Sequence, residues 1–165
     1  MTLPTAEEVV TRALNELKQA LDRQIPGHER RWAQEMTVAV AHVVAALKRR
    51  QAVTAAPQGL FAEVFVVCST LARQVSALRQ EQSELMKQAR SLAAELSAAA
   101  QAFRLADNDL SRANPLPAPK ANHAIPHFGK LRASAERLLE ALDRHQNQET
   151  KLILESVTTE IGVGD

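Results

Sequence analysis

Two residues near the end of the chain, His145 and Glu149, have side chains that can hold a metal ion or share a proton. Their spacing of four residues places them on one face of a helix, and the apolar residues around them predict that this face points to the core. A buried carboxylate has to be paired, hydrogen-bonded or bound to a metal. The pair therefore has two open interpretations: a local His–Glu hydrogen bond or ion pair, or two ligands of iron, manganese or zinc.

Both residues belong to a stripe that recurs every three or four positions. Such spacing is typical of an amphipathic helix whose apolar side faces a core. The stripe consists of Leu131, Ala135, Leu138, Leu142, His145, Glu149 and Leu152. A longer stripe has one polar member, Gln82, and consists of Leu60, Val64, Val67, Leu71, Val75, Leu78, Gln82, Leu85, Ala89, Leu92, Leu96, Ala99 and Phe103.

Prolines and glycines divide the chain into four segments that are free to be helical. These segments span residues 5–25, 28–51, 60–112 and 127–160. In the second segment the buried stripe is Trp32, Met36, Val40, Val43 and Leu47, and it continues to Arg50 or Gln51. Amphipathic helices joined by short connections close into an up-and-down bundle, so we predict an all-α four-helix bundle.

The bundle is predicted to be one domain over residues 1–160, followed by a tail at 161–165. The proline-rich stretch 113–126 predicts an extended connector within it. Thr5 and Glu8 have the spacing of a capping box at the start of the first helix. A straight helix over 60–112 would be roughly 70 Å or more long, so we expect a break near Cys68, Ser69 and Thr70.

The composition excludes several classes of protein. Only 3 % of the residues are aromatic, which argues against a large sheet, and the single cysteine excludes an intramolecular disulfide or a cysteine-based zinc cluster. The formal net charge of +1 favours neither nucleic acid nor an acidic membrane as a partner. Without an apolar N-terminal region or a run of about 18 apolar residues, a cytoplasmic protein is expected.

The other histidines and the cysteine are weaker candidates for chemistry. His28 is expected to be solvated near a helix start, and His42 to lie at the edge of the apolar stripe. His123 and His127 belong to the predicted connector, where we interpret them as loop residues. Cys68 has no nearby base to lower its pKa and is expected to be a buried structural thiol. No catalytic motif is present in the sequence, so an enzyme is not predicted.

A family resemblance begins at His145. Residues 138–149, LLEALDRHQNQE, resemble the last helix of hemerythrin-like (histidine- and glutamate-rich, cation-binding) four-helix bundles, and residues 78–85, LRQEQSEL, resemble their third helix. The resemblance implies a non-haem iron or another divalent metal that serves oxygen or redox sensing. It implies His145 and Glu149 as ligands. Where the family has histidines this chain has Gln82 and Gln51, two degenerate ligand positions, because a glutamine amide is a weak metal ligand.

Two functional hypotheses stay open. The first is a hemerythrin-like protein that binds iron or another divalent cation for oxygen or redox sensing. The second is a metal-free helical scaffold that acts as a homodimer or through a protein partner. The second rests on the apolar stripe in 60–112, which is longer than the other helices of the chain can cover. It leaves Leu92, Leu96 and Phe103 to be covered by another molecule.

Overall fold

The computed structural model of the protein contains four α-helices in its described parts, which are residues 4–23, 28–54, 69–112 and 128–161. Helix α1 spans Ala6–Asp22, α2 spans Glu29–Thr54, α3 spans Ser69–Arg112 and α4 spans Phe128–Ile161. No strand occurs in these ranges. The predicted all-α four-helix fold is therefore confirmed.

The start of α1 follows from its sequence. The backbone N–H of Glu8 donates to Thr5 Oγ1 at 3.2 Å, and the backbone N–H of Thr5 donates to Glu8 Oε2 at 2.8 Å. This reciprocal pair is the predicted capping box, and it satisfies two donors that have no partner inside the helix. Helix α3 begins at Ser69, within the region where a break was expected, while Cys68 and the predicted connector 113–126 lie outside the described residues.

The helices pack in chain order, α1 on α2, α2 on α3 and α3 on α4, with a lighter contact between α1 and α4. Helices α1 and α2 run antiparallel, since Arg49 Nη2 donates to the carbonyl of Pro4 and His42 contacts Glu16. Helix α3, at 44 residues, is about 66 Å long, whereas α2, at 26 residues, is about 39 Å. Helix α3 therefore extends well beyond the length of α2.

The predicted stripes form the core. One apolar cluster draws on all four helices, and near the start of α2 the rings of Trp32 and Phe128 lie with their centroids 4.5 Å apart. This cluster includes Leu92 and Leu96, so the prediction that these two need cover from another molecule is wrong: helices of the same chain cover them. The side chain of Phe103, like Leu60, Val64 and Val67, lies outside the described residues.

A second, smaller cluster lies between α3 and α4 and consists of Leu71, Val75, Leu78 and Leu152. Along α3, Gln82 follows this cluster and precedes the part of the stripe that belongs to the main core. Along α4, His145 and Glu149 stand at the same boundary, between Leu142 and Leu152. A layer of buried polar residues therefore divides the apolar interior. No described helix is apolar over enough of its length to cross a membrane.

Candidate functional site

The candidate site is this polar layer. In the described parts of the chain the buried polar residues are Gln82, His145 and Glu149. Each occupies a position in a mostly apolar stripe that faces the core, so the helix turns its polar group inward. Glu81 and Arg50 extend the layer toward the surface. We call these five residues the ionic layer.

His145 lies between two carboxylates. Its Nδ1 donates a hydrogen bond to Glu81 Oε2 at 2.9 Å, since an ionised carboxylate can only accept. Its Nε2 lies 3.5 Å from Glu149 Oε1, which is long for a hydrogen bond and leaves mainly ionic attraction. The two ring nitrogens point in different directions, so Glu81 and Glu149 flank the imidazole on separate sides.

The surroundings change the pKa of His145. Burial lowers the pKa of this imidazole, because it penalises the charged form. The interactions with Glu149 and Glu81 raise it and together outweigh burial, so the pKa lies above its ordinary value of 6.5. The ionic layer therefore favours an imidazolium at position 145.

Arg50 supplies the second positive charge. Its Nη2 forms an ion pair with Glu149 Oε2, between the last turn but one of α2 and the middle of α4. When His145 is protonated, the two carboxylates are balanced by one guanidinium and one imidazolium, and the layer is neutral. Such pairing is what a carboxylate as deeply buried as Glu149 requires.

The remaining predicted site positions are divided between core and surface. Gln82 is buried in the layer, and its Nε2 has no hydrogen-bond partner within the described residues. Gln51 is exposed at the end of α2, and its neighbour Arg50 makes the contact to α4 instead. His28 is exposed, as expected. His42 is also exposed, with Nδ1 2.7 Å from Glu16 Oε2, whereas His123, His127 and Cys68 lie outside the described residues.

Two members of the layer were not selected from the sequence. Arg50 follows Leu47 by three positions and continues the α2 stripe as well as Gln51 does, so the pattern alone could not choose between them. Glu81 precedes Gln82 and lies at the edge of the α3 stripe. A charged residue at such an edge is usually a solvated one, and only the proximity of α4 brings Glu81 to His145.

A surface groove of about 450 Å³ between α3 and α4 reaches the layer from outside. Its walls include Leu78 and Leu152, and Glu81 is at one end, with 32 % of its side chain exposed. Glu81 is thus the member of the layer that is in contact with both solvent and His145.

The layer does not fit a resident metal centre. Among the described residues, no group of three or more His, Cys, Asp or Glu side chains is placed to hold a metal ion. Glu81 and Glu149 contact different nitrogens of His145, so the three groups do not converge on one point. Arg50 also directs a positive charge at Glu149, where a ligand carboxylate would need the metal.

No known family, curated protein or solved structure matches the chain. The hemerythrin-like assignment therefore stays a prediction from the residues around His145.

Proposed function

We propose that the protein is a metal-free helical scaffold that acts through protein–protein contacts. The observation that carries the proposal is the ion pair between Arg50 and Glu149. It places a cation of the chain itself against the most buried carboxylate of the layer, so the charges are balanced within the protein. A layer of this kind positions helices, and polar groups at core positions are known to specify the register of helix bundles.

The surface that such a scaffold would use is the end of α4. Leu154 is 62 % exposed and Val157 is 49 % exposed, and they lie one turn apart. Isolated exposed apolar residues such as Val38 on α2 are common on protein surfaces. Two of them on adjacent turns of one helix form a larger apolar surface, on turns whose inward side is already occupied by Leu152.

Size-exclusion chromatography coupled to light scattering tests the proposal for one kind of protein–protein contact, the binding of a second copy of the chain. We expect a mass above that of the 18.1 kDa chain at high protein concentration. The double variant Leu154→Glu/Val157→Glu should return to the mass of one chain, and Val38→Glu is the matched control that should not. A wild-type protein that stays monomeric at all concentrations would count against this use of α4.

The hemerythrin-like hypothesis has one observation in its favour: the buried imidazole of His145 lies between two carboxylates. Elemental analysis of untagged protein distinguishes it from the scaffold. A divalent metal that binds the native state raises the melting temperature by mass action. Stoichiometric iron that is lost in His145→Ala, or a rise in melting temperature with Fe(II), Mn(II) or Zn(II), would replace the scaffold proposal.

A further inference from the structure

We infer that the ionic layer is a site for one cation and that Arg50 is its resident occupant. The inference deepens the metal-free part of the proposed function and is independent of the α4 surface. Arg50, a side chain of α2, then occupies the place where a helix bundle with His and Glu ligands would accept an external metal ion. The first support is the charge balance of the layer.

Glu81 and Glu149 bring two negative charges, and His145 can bring one positive charge. One further cation is needed for neutrality. The need is greatest at Glu149, because its side chain is almost completely excluded from water. A guanidinium meets this need at every physiological pH, because arginine does not lose its proton in proteins. Arg50 is the group that contacts Glu149 in this role.

The second support is the set of buried atoms that face no hydrogen-bond partner. Within the described residues these include His145 Nε2 and Gln82 Nε2. The layer thus holds buried nitrogens that its own hydrogen bonds leave unsatisfied. Arg50 Nη2 and Glu149 Oε2 form a close ion pair, in which the guanidinium supplies both a charge and an N–H group. A free guanidinium ion has the same charge and the same kind of N–H donors as the Arg50 head group and can take its place, whereas sodium has no donor.

The third support is the position of Arg50 in the chain. It lies in the last turn but one of α2, which ends at Thr54, and its side chain reaches sideways to α4. A group tethered in this way has a high effective concentration at its site. External guanidinium would have to displace it, so wild-type protein should not respond to concentrations of guanidinium that a variant without Arg50 would bind.

The test is chemical rescue of Arg50→Ala, followed through the melting temperature. We expect this variant to melt about 10 °C or more below wild type, because it leaves a buried carboxylate without its cation. Millimolar guanidinium should raise the melting temperature of the variant in a saturable way. It should not raise that of wild type, and sodium at equal ionic strength should have no effect on either.

Two variants make the result specific to the layer. Lys48→Ala removes an exposed cation two residues away on α2 and should neither lower the melting temperature nor respond to guanidinium. Arg50→Ala/Glu149→Gln removes both charges, so it should recover stability relative to Arg50→Ala and lose the rescue. An Arg50→Ala variant as stable as wild type, or one that guanidinium does not rescue, would overturn the inference.

If Arg50→Ala does not fold, the double variant decides. A folded Arg50→Ala/Glu149→Gln protein would show that the unbalanced carboxylate prevents folding, and it would support the inference. A double variant that also fails to fold would show that Arg50 acts through its packing, and it would overturn the inference. Either result leaves the α4 surface to be tested by its own light-scattering experiment.

Discussion

Arg50 and Glu149 form an ion pair that joins the end of α2 to α4, with 14 % of the arginine side chain and 3 % of the glutamate side chain exposed. The two ends of the pair are therefore unequal. Arg50 can move toward water if its partner is lost, because long side chains keep a charged head near the surface. Glu149 cannot.

This inequality predicts different costs for the two single substitutions. Arg50→Ala should lower the free energy of unfolding by about 3–5 kcal/mol, as expected for an isolated buried charge. Glu149→Gln should cost less, about 1–3 kcal/mol, because the amide is neutral and Arg50 regains solvent. Urea denaturation followed by the fluorescence of Trp32 measures both. Glu35→Gln, which breaks an exposed pair with Arg31, is the control and should cost no more than about 1 kcal/mol.

The raised pKa of His145 predicts a pH dependence of stability. A histidine whose pKa is higher in the folded state stabilises that state most below its unfolded value of 6.5. This contribution is lost as the pH rises through the higher, folded pKa. Protonated His145 faces Glu81 from α3 and Glu149 from α4, with Arg50 from α2 on Glu149, so its proton completes the charge balance.

Denaturation at a series of pH values above 6.5 should therefore show a decline in stability that His145→Gln removes. His28→Gln, which changes an exposed histidine at the start of α2, should leave the decline unchanged. A decline that persists in His145→Gln would assign the pH dependence to other groups.

Substitution of Glu81 should also change the pH at which the His145 ring titrates. Glu81→Gln removes one of the two charges that raise the pKa of His145, while the amide oxygen can still accept from Nδ1. The NMR titration of the His145 ring should therefore shift to lower pH. Glu84→Gln, an exposed change one turn further along α3, is the matched control. An unchanged titration in Glu81→Gln would mean that Glu149 alone sustains the raised pKa.

Because Leu96 is buried within a single chain, its truncation should destabilise the monomer. Leu96→Ala should lower the free energy of unfolding by about 2–5 kcal/mol, because the truncation leaves a cavity in the main core. Leu154→Ala removes the same atoms from an exposed position and should stay within about 0.5 kcal/mol in dilute protein. The stability loss of Leu96→Ala should not depend on protein concentration. A concentration-dependent loss would place Leu96 in a contact between copies.

Much of the fold could be predicted because its signals are local. Helix ends follow from prolines, glycines and the Thr5–Glu8 capping box, and the burial of Leu142, His145 and Glu149 follows from a spacing of three and four. Leu92 and Leu96 were also expected to face inward. The prediction that another molecule covers them was wrong, because their cover depends on how far α2 and α4 run alongside α3.

The sequence was sufficient for the helices and for the polar members of their inward stripes, since these depend on propensity and periodicity within one segment. The composition of the ionic layer depended on the packing of α2 and α4 on α3, which brings side chains of three helices together. Adjacent residues point about 100° apart around a helix, and contacts between helices decide how each helix is rotated about its axis. That rotation directs Arg50 rather than Gln51 to Glu149 and brings Glu81 to His145, so both candidate metal ligands are ion-paired within the layer.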